Sequence, residues 1–298
     1  MTMKRPAARA DWGLRARMVV TMGLLAAVYI GFLSYLSSRG VSFGPLLVLA
    51  AIMLGVQYFF SHRLAMWGMG AKLVTPVQAP ELHAMVERLA LGAGIPKPKV
   101  AISKLPIPNA FATGRSPKHA VVAVTKGLLE RLEPHEVEAV LGHEIYHVVN
   151  RDVAVMTLAS FFAMVAFFMM RMFFFTGLFG GRDDDNNGGG SIWLVYLVSM
   201  LVYFVSQILI LALGRYRELA ADRGGAHLTR RPKDLASALV KISGDMQRMP
   251  PGTKRQVERM NAFFIVPTSI SELFSSHPSL ERRIDQLERI SLELGEAQ

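Results

Sequence analysis

The chain has 298 residues, 51% of them hydrophobic and 19% charged, and its mean hydropathy is +0.31. That balance excludes an ordinary water-soluble domain and points to a membrane protein with one modest soluble unit. The chain has no cysteine and a formal net charge of +10, so disulfides, thiolate-held zinc, iron–sulfur clusters and a thiol nucleophile are excluded, and any metal must be held by His, Asp or Glu.

Residues 1–17 form an N-terminal segment with Lys4, Arg5, Arg9, Arg15 and Arg17. Two uncharged apolar runs follow, 18–36 and 43–60, each near the ~20 residues needed to cross a ~30 Å hydrocarbon core. The first lacks a small-residue cleavage site and is followed at once by the second, so it reads as a retained anchor and not a removed signal peptide. Residues 61–152 are mixed in character. A third apolar run, 153–179, carries Arg171 near its far end, where the side chain can snorkel to the interface. The Gly/Asp/Asn-rich loop 180–191 leads to a fourth run, 192–213, and residues 214–298 close the chain. The outer loops offer Arg39 in one case and Arg182 against Asp183, Asp184 and Asp185 in the other. By the positive-inside rule, both hairpin tips face outward, and residues 1–17, 61–152 and 214–298 face the cytoplasm. The two larger cytoplasmic stretches hold 11 and 14 basic residues. Much of the charge is therefore an orientation signal, and no nucleic-acid partner is expected.

The cytoplasmic stretches have globular patterning. Leu82, Val86, Leu89 and Ala93 repeat at helical spacing. The β-rich runs Lys99–Ser103 and His119–Val124 read as neighbouring strands on either side of Asn109–Gly114, a stretch read as containing a turn. A helix is predicted from Pro134 through Val137, Val140 and Leu141 to about Asn150. Two amphipathic helices are expected later, Pro232–Met246 and Leu280–Leu294.

The predicted helix after Pro134 contains His143-Glu144-Ile145-Tyr146-His147. Four residues make about one helical turn, so His143 and His147 project from one face and can present two imidazoles to one metal ion. Glu144 can reach a metal-bound water without coordinating. A catalytic zinc needs three protein ligands and an open position. The candidate third ligand is Glu218, in Arg217-Glu-Leu-Ala-Ala-Asp222 just after the fourth run, with Asp222 one turn further on to orient a ligand imidazole. Alternatively, Glu218 and Asp222 pair with Arg215, Arg217 or Arg223 on a solvated juxtamembrane helix.

These segments resemble the membrane-embedded M48 zinc metalloproteases of the bacterial HtpX type. The resemblance spans nearly the whole chain and rests on Pro108–Gly114, Gly142–His147 with Asn150-Arg-Asp152, Arg217–Asp222 and Ser276-His-Pro-Ser-Leu-Glu281. It implies a mainly α integral membrane protein. About four transmembrane helices would carry a cytoplasmic zincin-like α+β metalloprotease domain, whose small sheet offers an edge strand to an extended substrate. It also implies one zinc per chain on His143, His147 and Glu218, with Glu144 as acid/base. The chain departs from the family at Tyr146, where a small residue is usual, and at Leu219, where an aromatic is common. Tyr146 is expected to point off the ligand face as a core aromatic.

The implied activity is that of a zinc endopeptidase of the bacterial inner membrane, hydrolysing misfolded or damaged membrane proteins at the cytoplasmic face in membrane quality control and the stress response. Glu144 would take a proton from water and return it to the leaving amine. His277 is a candidate oxyanion donor, or alternatively a cap of the last helix. Asn109 is a candidate contact to the substrate strand, or alternatively a turn residue. His147 lies six residues before Val153, about 9 Å along a continuous helix at ~1.5 Å per residue, which places the site close to the bilayer. Unfolded polypeptides, membrane proteins or their cytoplasmic loops are the expected substrates. An intramembrane protease is disfavoured, because Glu133–Asp152 is rich in charge and precedes the apolar run. A non-catalytic membrane scaffold or transporter is the reading from a different class, weakened by the lack of ionisable residues within runs one, two and four.

Overall fold

A computed structural model describes residues 12–40, 44–179, 188–248 and 277–295. Lys4, Arg5 and Arg9, residues 180–187 of the acidic loop, and Ser276 lie outside the described residues.

Helices α1 (Trp12–Ser38) and α2 (Gly44–Gly68) form the first apolar pair, and α6 (Asp152–Phe179) and α7 (Gly188–Thr229) the second. All four are long and apolar enough to cross a membrane. Tyr29, Phe32 and Leu36 of α1 pack with Ala166, Met169 and Phe173 of α6 and Val195 and Val202 of α7 in an apolar core. The Tyr29 hydroxyl, which cannot stay unpaired there, donates to the Phe162 carbonyl. Val19, Ile30, Val48, Ile52, Leu201 and Phe204 remain exposed, as expected of faces that meet lipid. Helix α2 buries none of its most apolar window.

Between the two pairs the chain builds β1 (Ala71–Leu73), α3 (Pro80–Ala93), β2 (Lys99–Ser103), β3 (Ala110–Thr113), β4 (Val121–Thr125), α4 (Lys126–Arg131) and α5 (Pro134–Val149). After α7 come α8 (Pro232–Gln247) and α9 (Leu280–Glu293). The four-stranded sheet has the order β1-β2-β4-β3. β2 and β4 are parallel neighbours with Lys99 opposite Val121, while β1 and β3 run antiparallel on the two edges. Residues 109–114, expected to hold a turn, are instead mostly strand. Asn109 leads into β3, and its carbonyl accepts from the Thr125 backbone N–H at 2.9 Å and the Thr125 hydroxyl at 3.0 Å.

The second core packs Val122 and Val124 of the sheet against Val86 of α3, Val140 and Ile145 of α5, Leu239 of α8 and Ile290 of α9. Helix α5 starts sharply. Pro134 occupies its first turn, and Glu133 and Glu136 form a reciprocal capping box. It also ends before the membrane helix begins. The Asn150 N–H bonds back to Tyr146 O at 3.0 Å, Arg151 adopts φ 55°, and α6 starts afresh at Asp152. The axial rise from His147 to Val153 therefore does not run along one helix. The link is lateral, through the Asp152 side chain.

Candidate metal centre and active site

Helices α5 and α7 cross at van der Waals distance, and glycine makes that possible. A Cβ on Gly225 would lie 2.6 Å from the His143 backbone nitrogen, and one on Gly142 would lie 2.5 Å from the Thr229 side chain. Glu218, Asp222, Gly225 and Thr229 follow one another at three- and four-residue steps, so they form a single stripe on α7 facing α5. Gly224 beside that stripe accepts the half-buried Tyr146 ring, whose carbons would lie 2.1–2.2 Å from a Cβ there. The large residue within the His–Glu–x–x–His segment is thus matched by an absent side chain on the opposing helix.

This crossing brings ligand-type atoms of His143, His147 and Glu218 within 4.8 Å of one another. The two imidazole Nε2 atoms are 3.0 Å apart, and each lies 3.5 Å from a different oxygen of Glu218. Four-coordinate zinc with bonds of ~2.0–2.1 Å separates its ligand atoms by roughly 3.3–3.4 Å. The donor set therefore fits such an ion.

Each imidazole is aimed by a carboxylate behind it. His143 Nδ1 lies 2.8 Å from Asp222 Oδ1, and Asp222 is gripped by Arg283, whose Nε and Nη2 donate at 2.7 and 2.6 Å. His147 Nδ1 lies 2.5 Å from Asp152 Oδ2, and Arg217 Nε lies 3.2 Å from the other Asp152 oxygen. An Nδ1–H committed to a carboxylate leaves the Nε2 lone pair pointing inward, the tautomer a metal needs. Burial opposes charging of His143, but hydrogen bonding to Asp222 and Glu218 outweighs it, and the pKa is pushed up to about 9. The cluster is an environment that favours positive charge.

Glu144 is buried next to His143 on α5. His277 is buried with Nδ1 3.3 Å from Glu218 Oε2, so the chain after α8 returns to the same cluster. The capping role belongs to Ser279, whose hydroxyl accepts from Arg282 N at 3.4 Å. Asn109 is fully buried and its backbone is tied to Thr125. The neighbouring edge strand β3 reaches the centre, since Ala112 and Thr113 share a small cavity with His147, Val148, Arg151 and Asp152.

Glu218 and Asp222 do not simply pair with nearby arginines. Asp222 takes Arg283 from α9, Arg217 turns to Asp152, and Arg223 meets Glu293 at 3.1 Å. Sequence reasoning missed Arg283 and the role of Asp152. The position of Asp152, five residues beyond His147, was a usable signal. Arg283, 61 residues from its partner, gave none.

A His–Glu–x–x–His segment on α5 set against a carboxylate of α7, in a chain with four helices apolar enough to cross a membrane, defines a membrane-anchored metallopeptidase. Known proteins agree. The profile of peptidase family M48 matches residues 76–291. A Protease HtpX homolog of Moorella thermoacetica is 60% identical over 96% of this chain and 97% of its own. Protease HtpX homolog 2 of Methanosarcina acetivorans is 51% identical over 98% and 100%. The crystal structure of Ste24p from S. mikatae shares the fold with a TM-score of 0.56 at 18% identity, covering 93% of this chain and 67% of that one. The chain belongs to peptidase family M48 and is a multi-pass membrane metalloprotease of the HtpX type.

Proposed function

We propose that the chain is a zinc endopeptidase of the bacterial inner membrane that cleaves misfolded or damaged membrane proteins at the cytoplasmic face. The observation that carries this reading is the convergence of His143 and His147, on a helix that ends where membrane helix α6 begins, with Glu218 of α7, all within 4.8 Å.

In this reading His143, His147 and Glu218 hold one zinc, which when bound polarises a scissile carbonyl and acidifies a water. Glu144 accepts the proton of the attacking water and hands it to the departing amine. Asp222 and Asp152 fix the imidazole tautomers, backed by Arg283 and Arg217. His277 supplies a further hydrogen-bond donor beside Glu218 where negative charge develops on the substrate oxygen. The outer edge of β3 offers backbone groups to an extended substrate segment, and Asn109 fixes the entry to that strand.

Two features support a bilayer substrate. Asp152 both begins membrane helix α6 and orients His147, and α7 carries Glu218 and Asp222 on the same continuous helix as the fourth apolar run. The transporter reading gains no support, since Arg171, the charged side chain within the apolar runs, sits at the Phe167 and Phe175 rings.

The test is metal analysis of the purified chain with cleavage assays on a bilayer-embedded substrate and a soluble unfolded one. One zinc per chain and faster cleavage of the embedded substrate are expected. Zinc-free protein that still cleaves would refute the metal assignment, and equal rates on both substrates would refute the membrane preference.

A further inference from the structure

The described residues contain a basic surface that the catalytic reading does not use. Asp and Glu are absent between Asp11 and Glu81, and again between Glu87 and Glu130. Those two stretches meet at one end of the sheet. The register places Lys99 opposite Val121, and Val121 opposite Thr113, so the loop 114–120 and Lys99 share that end. The Tyr58 hydroxyl donates to the Arg115 carbonyl at 2.9 Å, and the Arg115 guanidinium sits 5.4 Å from the Phe59 ring centroid. Tyr58 and Phe59 belong to the last turn of the second apolar run, so this end of the sheet lies at the height where α2 leaves the hydrocarbon. One turn on, Arg63 lies 5.5 Å from the Phe60 ring centroid, and His62 lies in the positive field of Arg63, Arg115 and Lys99.

The loop is held firmly. Gly114 has φ 126°, and a Cβ there would strike the His119 carbonyl at 2.4 Å. Arg115 donates to His119 Nε2 at 3.0 Å, which puts the His119 proton on Nδ1, toward Ser116 Oγ at 3.0 Å. Arg63, Lys99 and Lys118 are exposed and Arg115 is half-exposed; no carboxylate in either stretch can neutralise them. Like charges held together at a bilayer surface are stabilised when an anion sits among them, and the anions fixed at that height are phospholipid phosphates.

We propose that Arg63, Lys99, Arg115 and Lys118 form a binding site for the phosphate headgroup of an anionic phospholipid, seated between the end of α2 and the loop that continues edge strand β3. Aromatic rings at the hydrocarbon boundary orient two of the guanidinium groups, and the lipid phosphate supplies the missing negative charge. Because Ser116 of this loop and Thr113 of β3 line the same small cavity as His147, a bound headgroup also fixes the edge strand relative to the bilayer. The inference depends on the membrane location of the chain and not on its being a protease.

The test is lipid retention by the full chain, purified from mixed phosphatidylcholine and phosphatidylglycerol and read by native mass spectrometry. The wild type should retain phosphatidylglycerol over phosphatidylcholine, and R63A/R115A/K118A should lower that preference by about tenfold or more. The exposed-only pair R63Q/K118Q keeps the Arg115 contacts and should lose part of the preference, which decides the matter if the triple variant unfolds. K104A/K126A removes two exposed charges from the other end of the sheet and should change nothing. Equal retention of both lipids by the wild type, or equal losses in both sets of variants, would overturn the proposal. Binding of inorganic phosphate in phosphatidylcholine alone, as strong as that of phosphatidylglycerol, would overturn the lipid assignment and identify a free-anion site.

Discussion

The two imidazoles of the candidate metal centre are supported by the same chemistry in different surroundings. On one side, His143, Asp222 and Arg283 are at most 1% exposed and tie α5, α7 and α9 together. On the other, His147 is 11% and Arg217 13% exposed, and their carboxylate, Asp152, opens a membrane helix. A buried ion pair that loses one partner leaves a charge that water cannot reach, whereas a pair at the rim can be partly rehydrated. The interior arm therefore contributes to both fold and site, and the rim arm mainly to the site and its attachment to the bilayer.

Asp222→Ala should be the most damaging change. It strands Arg283, costs about 3–5 kcal/mol and weakens metal binding by roughly 10–100-fold, measured by thermal unfolding and by zinc loss to a chelator. If Asp222→Ala and Asp152→Ala destabilise the chain equally, the distinction between the arms fails. Gly225→Ala should cost about 1–3 kcal/mol, because the added carbon meets the α5 backbone at His143. Metal binding should fall with it, since α7 cannot retreat without carrying Glu218 away. Asp152→Ala should reduce zinc affinity by roughly 10–100-fold with a smaller stability loss of about 1–2 kcal/mol.

The smallest effect lies outside the centre. Glu136 accepts from Ser237 at 2.7 Å and from Lys241 at 2.8 Å. Burial would raise its pKa, but hydrogen bonds from Lys241 and Ser237 prevail and hold the carboxyl below its usual range. A lowered folded-state pKa contributes stability that is fully present above the unfolded value of ~4.3 and is lost as pH falls through the folded value. Glu136→Gln should therefore cost about 1 kcal/mol at neutral pH, and the gap to wild type should close in acid. A gap that widened in acid would reverse the sign.

Different parts of this molecule were legible for different reasons. The motif helix could be read because its start signal and the spacing of its two histidines are local: Pro134 begins α5, and one helical turn separates His143 from His147. The amphipathic helices α8 and α9 were legible from periodicity in the same way. Strand β3 was not, because Asn109 and Gly114 carry turn propensity and only pairing with β4 overrides it. The break at Arg151 was also hidden, since polar residues before an apolar run do not say whether one helix or two joins them. The Asp222–Arg283 pair could not be read at all, because nothing local in α9 marks Arg283 as the residue that enters the core. The glycine pair 224–225 shows its purpose only once the Tyr146 ring and the α5 backbone lie against it.

The central claim is that Glu144 performs proton transfer at a metal held by other side chains. Zinc content and peptide cleavage measured together on wild type, Glu144→Gln and Glu218→Gln test it most directly. Glu144→Gln should keep its zinc while losing cleavage by at least ~10²-fold, and Glu218→Gln should lose both. Undiminished cleavage by Glu144→Gln, or full zinc retention by Glu218→Gln, would contradict the account.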